Sequence, residues 1–242
     1  MLRQSYRKRP VSHIMRDIHE IQKLCKRPFI EFADDNTFVN SVWGKELCRA
    51  LLPLDISWFA ETDISVADDD ELLQIIYQAK CRQLLIGLES PEPVGLQGIE
   101  LKSDFKARRW ADAADAVRRI QQHGITVNGC FILGLDGQTT DIFPKVLEFV
   151  EKISLYDVQL TVLTPFPGTP LYDRLLADGR IIEPDRWDLC TLFDVNFIPS
   201  HMRADDLRQG MYWLAERLYT QDALNKRRRM FHENKPRRPR PS

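Results

Sequence analysis

The chain has 242 residues, 43% of them hydrophobic and 10% aromatic, and its 34 basic and 35 acidic side chains leave a net charge of -1. That length suits one α/β domain with an appendage, and no apolar run reaches the length of a membrane span. The opening MLRQSYRKRP has no apolar stretch behind its positive charges, which argues against a secretory leader and makes the cytoplasm the expected location.

In chain order, Ile14, Ile18, Ile21 and Cys25 recur at helical spacing over 11–26, with Ser12 as the candidate cap and Pro28 closing the segment. A short strand follows at 29–33, then a helix over 43–52 stopped before Pro53, and a second strand at 56–60. Asp68 is the expected cap of the next helix, with Glu71 three residues on and Leu72, Leu73, Ile76 and Ala79 turned inward. The strand over 83–88 is an unbroken apolar run from Leu84 to Leu88, which predicts burial on both faces. A helix over 107–123 carries Trp110, Ala114, Val117 and Ile120 on one stripe and ends at Gly124. A strand at 125–133, a helix from Thr139 or Thr140 to about 153 and a strand at 158–163 complete the pattern.

Five strands with helices between them read as successive β-α units of a parallel sheet, either an open barrel or crescent or a doubly wound sheet. The rest of the chain differs. Residues 180–200 read as an irregular wrap, and Leu207, Met211, Leu214 and Leu218 restore helical spacing. Residues 226–242 hold eight Lys or Arg and one Glu, a local +7 that leaves the preceding residues at -8. This proline- and arginine-rich end reads as disordered. The expected division is 1–178 for the α/β body, 179–223 for the wrap and its helix, and 224–242 for the basic tail.

Ligands of parallel α/β folds gather beyond the carboxyl ends of the strands. Asp34, Asp35 and Asn36 follow the first strand, Glu61 and Asp63 the second, Glu89 and Ser90 the third. Asp34 and Asp35 suit either a turn or cap for the helix near 43 or contact with a ligand. Glu61 and Asp63 are expected to pair with Arg or Lys at the sheet rim. Glu89 suits a ligand role or an ion pair. Gly129, Gly134 and Gly137 permit a tight turn or close backbone approach but form neither a dinucleotide fingerprint nor a Walker loop. Pro165, Pro167, Gly168 and Pro170 form a rigid turn or part of a ligand wall.

Cysteines 25, 48, 81, 130 and 190 form no CxxC pair, which points to reduced, mostly buried thiols. The histidines show no HExxH, and order alone singles out no nucleophile and base. The basic tail is either solvated charge or an attraction for phosphate, with Phe231 its only aromatic.

The stretches FIEFADDNTF, ISWFAETDI, CRQLLIGLES, ITVNGCFILGLDGQT and VQLTVLTPFPGTPLYDRL resemble, in this order, the later barrel strands of radical S-adenosylmethionine enzymes. The resemblance is to the subgroup that often carries an upstream cobalamin-binding domain and includes hopanoid-methylase-like proteins. FDVNFIPSHMRADDLRQGMYWLAERLYT is similar to the C-terminal extension of that subgroup, so the resemblance covers about residues 10–220.

It implies an α/β fold of the partial (β/α)6, TIM-type barrel kind, in which a 4Fe-4S iron-sulfur cluster reductively cleaves S-adenosylmethionine to a 5'-deoxyadenosyl radical. It implies Asp34 and Asp35 near the methionine amino group and Glu89 near the ribose or methionine. Gly129 and Gly134 would lie beside the adenosine, with Thr164 and Pro165 facing the pocket. The family's CxxxCxxC loop is absent from the sequence, and Cys25 stands alone in the helix that should follow it.

The resemblance therefore implies an incomplete barrel, inactive alone, whose strand at 29–33 is an exposed sheet edge. S-adenosylmethionine is the ligand it could still hold. The cluster and cobalamin belong to intact relatives, which would methylate or radically modify an apolar or lipid-like substrate, and an N-terminal or CxxxCxxC-bearing partner would complete the fold. The alternative is a noncatalytic scaffold whose basic tail meets an acidic or nucleic-acid partner.

Overall fold

A computed structural model describes residues 7–96 and 104–234. Strands β1 (Phe29–Phe32), β2 (Ser57–Thr62), β3 (Cys81–Glu89), β4 (Thr126–Leu133) and β5 (Asp157–Val162) form one parallel sheet in sequential order. Right-handed crossovers between consecutive neighbours keep the connecting helices on one face. Those helices are α2 (Ser41–Leu51), α3 (Asp70–Gln78), the pair α4 (Phe105–Arg109) and α5 (Ala113–Gln122), and α6 (Ile142–Lys152), with α1 (Val11–Leu24) leading into β1. The result is an α/β partial barrel with one face covered.

Burial follows from that asymmetry. Trp58, Ala60, Leu84, Ile86, Val127, Phe131, Val158 and Leu160 are buried in one core with the helices' apolar stripes. Their strand neighbours Phe59, Glu61, Leu85, Gly87, Cys130 and Gln159 are only half-buried. The expected burial of 84–88 on both faces is thus corrected. A sequential strand order supplies helices to one face only, and the 83–88 segment alternates.

Helix starts shift by a residue or two from the expected caps. Asp69, with extended backbone, accepts from the Leu72 N–H at 3.0 Å, while Asp68 is drawn away by Arg109. Asn40 caps α2 by accepting from the Trp43 N–H at 2.9 Å. Ser12 caps nothing, because α1 begins after Pro10, whose fixed φ suits a helix entrance. The single helix expected over 107–123 is broken by a 3₁₀ turn at Trp110–Asp112, across which Arg109 holds both Asp112 and Asp68. Cys25 is exposed, unlike Cys48 and Cys81, and all five cysteines are free thiols.

The C-terminal part returns over the sheet through α7 (Pro170–Ala177), a wrap pinned by an antiparallel bridge between Ile181 and Phe197, and α8 (Ala204–Leu218). It also covers the outer edge of β5. The Val162 N–H donates to the Leu192 carbonyl at 2.7 Å, and the Tyr219 hydroxyl donates to the Val158 carbonyl at 3.1 Å.

The disorder expected from residue 224 is corrected for 224–234, which belong to α9 (Gln221–Asn234). Phe231 packs edge-on against Tyr156 with ring centroids 5.1 Å apart. Arg227 is buried and donates from Nη1 to the Leu218 carbonyl at 2.8 Å. One aromatic ring and one arginine stem supply burial that a charge count conceals. Residues 235–242 lie outside the described residues. No helix among the described residues is long and apolar enough to cross a membrane.

Gly210 lets α8 approach α6, because a Cβ there would fall within the Phe143 ring. Alanine is the better helix former by about 1 kcal/mol, but overpacking costs about 1–3 kcal/mol. Gly210→Ala is therefore expected to lower the urea midpoint of unfolding, and a raised midpoint would show that α8 does not dock this closely.

Candidate functional site at the open face of the sheet

On the face left open by the helices, alternate strand residues surround a hollow of about 510 Å³. Glu61 comes from β2, Gly87 and Glu89 from β3, Cys130 from β4, and Gln159 and Thr161 from β5. Asp35 and Asn36 close it on the β1 side, Lys106 of α4 stands over the end of β3, and Leu192 of the wrap forms the far wall.

Glu89 is the most constrained of these groups. The β3–β4 register shifts between Gly87 and Glu89, and Glu89 takes φ +61, a left-handed conformation that costs a non-glycine residue about 1 kcal/mol or more. Its carboxylate is buried and ion-paired through Oε1 with Lys106, while Oε2 is buried with no hydrogen-bond partner. Gly87 makes room for the pair: a Cβ there would stand 2.6 Å from Glu89 Oε1 and 2.8 Å from Lys106 Nζ. A strained backbone thus holds a buried, half-satisfied carboxylate at the edge of the hollow.

The acidic side is built differently. Asn36 donates from Nδ2 to Asp63 at 2.6 Å and accepts from the Thr62 hydroxyl at 2.9 Å, while Asp63 accepts from the Ser65 N–H at 2.7 Å. Those bonds clamp the loop after β1 to the end of β2. The expected pairing of Glu61 and Asp63 with Arg or Lys at the rim is corrected, because neither makes an ion pair among the described residues. Burial, with Asp35 and Glu31 nearby, instead pushes the Glu61 carboxyl above its ordinary range.

Asp34 and Asp35 are exposed, and the cap of α2 falls to Asn40. Asp35 lines the hollow, whereas Asp34 lies in a neighbouring groove at the outer edge of β1. Gly129 is on the helix-covered face, where a Cβ would meet Leu88 and Leu155. Gly134, at φ +90, turns the chain after β4 and donates its N–H to Gln138 at 2.8 Å. Thr164 is buried and donates its hydroxyl to the Val162 carbonyl at 3.0 Å, and Pro165 is buried beside it. Of the seven residues expected at the cofactor, the fold gathers Asp35 and Glu89 in the hollow.

Lys106, Cys130, Gln159 and Thr161 also line the hollow and were not singled out from sequence. For the last three the signal was present, because each has the strand parity of the open face. Burial, with the Glu89 charge nearby, pushes the Cys130 thiol up to about 12, so it stays protonated at neutral pH. Among the described residues no group of three or more His, Cys, Asp or Glu is arranged to hold a metal ion.

Because the folded pKa of Glu61 lies above its unfolded value, its contribution to stability is present at low pH and lost as pH rises through the folded value. Glu61→Gln is expected to raise the urea midpoint at pH 7, and the gain should vanish below about pH 4. A gain independent of pH would remove the electrostatic explanation.

A family model described as Domain of unknown function (DUF4070) matches residues 169–242, which include α7, α8 and α9. The chain is 24% identical to Bacteriochlorophyllide d C-12(1)-methyltransferase of Chlorobaculum tepidum over 92% of this chain and 48% of that protein. It is 26% identical to Hopanoid C-2 methylase of Rhodopseudomonas palustris over 72% of this chain and 33% of that protein. The chain thus spans about half or less of the length of these curated relatives. In structure it is similar to TsrM, a radical S-adenosylmethionine methyltransferase from Kitasatospora setae solved with cobalamin and a 4Fe-4S cluster bound. The TM-score is 0.61 at 16% identity, over 71% of this chain and 34% of that one. The sequence is therefore homologous to methyltransferases, and the fold is of the radical S-adenosylmethionine kind.

Proposed function

We propose that this chain binds S-adenosylmethionine in the open-face hollow and does not, on its own, generate a radical from it. The observation that carries the reading is the buried Glu89 Oε2, an acceptor without a partner at the end of β3. The ligand's ammonium and ribose hydroxyls are donors of the kind that oxygen lacks. Asp35 and Glu61 suit its positive charges, while Lys106 is held in its ion pair with Glu89. A volume of about 510 Å³ lies within the usual range for small-molecule sites.

The residues do not fit a 4Fe-4S cluster. Three thiolates hold such a cluster in this family, while the hollow offers Cys130 alone, kept as a thiol by burial. The reductant of S-adenosylmethionine would have to come from outside these residues, so no step is assigned to this chain beyond binding and orienting the ligand. Phe166, Trp187 and Phe193 are exposed in the loop after β5 and in the wrap that supplies Leu192, which supports an apolar or lipid-like substrate for the completed enzyme. A cytoplasmic location goes with this reading. The scaffold alternative has less to draw on in α9, where Arg227 is buried and Lys226 pairs with Glu151 at 3.2 Å.

Isothermal titration of the purified chain with S-adenosylmethionine should show one site, and Glu89→Gln should weaken it about tenfold or more, the worth of a charge-assisted hydrogen bond. Absence of binding at millimolar ligand would overturn the proposal. Anaerobic incubation of the chain with iron, sulfide, dithionite and S-adenosylmethionine should yield no 5'-deoxyadenosine, and its formation would overturn the claim of catalytic incompetence.

A further inference from the structure

Charge is unevenly settled in the hollow. Glu89 is ion-paired with Lys106, and Asp35 is exposed, so water screens it. Glu61 has neither remedy. Its half-buried carboxyl makes no hydrogen bond or ion pair among the described residues, and Asp35 and Glu31 add like charge from the β1 side. Asp63, just past the end of the same strand, is occupied by the Asn36 amide and the Ser65 N–H. On β4 the facing titratable group is Cys130, which stays a neutral thiol. No histidine is among the described residues that line the hollow.

Position also separates Glu61 from Glu89. Glu61 is in register with Leu85, whereas Cys130 is in register with Gly87, two residues further along β3. At about 3.3 Å per residue the Glu61 backbone lies about 7 Å deeper along the strands than Gly87, and Glu89 stands higher still. The two carboxylates are thus staggered, one at the floor and one at the rim. Glu89 offers an unbonded oxygen to an N–H or O–H donor. What Glu61 lacks is a positive charge. The sulfonium of S-adenosylmethionine is such a charge: three carbons surround its sulfur, so it donates no hydrogen bond and is met by an anion's field alone.

We propose that Glu61 is a specificity-determining residue, the carboxylate that faces the ligand's sulfonium and makes the hollow prefer S-adenosylmethionine to S-adenosylhomocysteine, whose sulfur is neutral. The inference rests on the proposed binding of S-adenosylmethionine and adds to it which form of the nucleoside the hollow keeps. Both ligands carry the same ammonium, carboxylate, ribose and adenine, so those groups cancel in the comparison. A methyl group and its charge are the whole difference. Burial raises the Glu61 carboxyl, and a bound cation favours its ionised form. Entry of the sulfonium therefore draws a proton off Glu61 wherever the pH lies below its folded value, and the preference for S-adenosylmethionine grows as pH rises from about 4 towards 7. The ligands' α-amino groups, ordinarily at about 7.7–8.0, stay protonated over that range.

Isothermal titration of the full chain with each ligand at pH 7 should give S-adenosylmethionine the tighter binding by about tenfold or more, the order expected for one charge beside a partly buried partner. Near pH 4, with the fold verified by circular dichroism, that preference should shrink. Glu61→Gln, expected above to be the more stable chain, should bring the two affinities close to equal at pH 7 by weakening S-adenosylmethionine and leaving S-adenosylhomocysteine nearly unchanged. Asp35→Asn should keep most of the preference, because the Asp35 charge is screened. Equal affinities of the wild-type chain, or a preference unchanged by Glu61→Gln or by pH, would overturn the assignment to Glu61 and leave S-adenosylmethionine binding standing. A preference lost in Asp35→Asn and kept in Glu61→Gln would move the charge to the β1 side and overturn it equally. Absence of binding by both ligands at millimolar concentration would overturn the binding reading itself, and this inference with it.

Discussion

Helices cover one face of this sheet, and that one-sided covering decides where each kind of residue can sit. With five parallel strands in sequential order, crossovers of one hand leave the opposite face without a helical layer. Every second strand residue is then released from the core, and there the chain places Glu61, Glu89, Cys130 and Gln159. The hollow is a consequence of connectivity before it is a consequence of any one residue.

Within it, the main cost is concentrated at the end of β3. A left-handed backbone at Glu89, a glycine at 87 and a carboxylate buried with one oxygen unbonded each oppose folding by an amount on the order of 1 kcal/mol or more. A core near Leu84 and Ile86 with no exposed surface supplies the stability that tolerates them. Cys130 and Glu61 show the same environment from other positions, since burial raises both groups and neighbouring carboxylates add to it. The hollow is short of positive charge, with Lys106 facing several acids.

Much of the fold was legible in the residues. The five strands, the helices between them and the α8 stripe of Leu207, Met211, Leu214 and Leu218 follow from periodicity, and Gly124 ends α5 with φ +89. Cap positions were less legible, because the run Asp68, Asp69, Asp70 offers three similar acceptors and only tertiary contact with Arg109 separates them. The site was legible in part. Residues at strand ends could be named, but which of them shared a hollow depended on strand parity and on α4 bringing Lys106 to Glu89. Gly129 and Gly134 have their own packing and turn reasons, which sequence alone does not separate from ligand contact. For α9, the charge of the segment concealed the burial of Phe231 and Arg227.

The loop carrying Leu192 has two duties. Its carbonyl seals the outer edge of β5, and its side chain walls the hollow on that side. Edge protection and pocket shape are thus mechanically coupled through a single turn of chain. Loosening that turn would bare an unpaired strand and widen the hollow in one motion, so the upkeep of the sheet's margin and the shape of its open face rest on the same few residues.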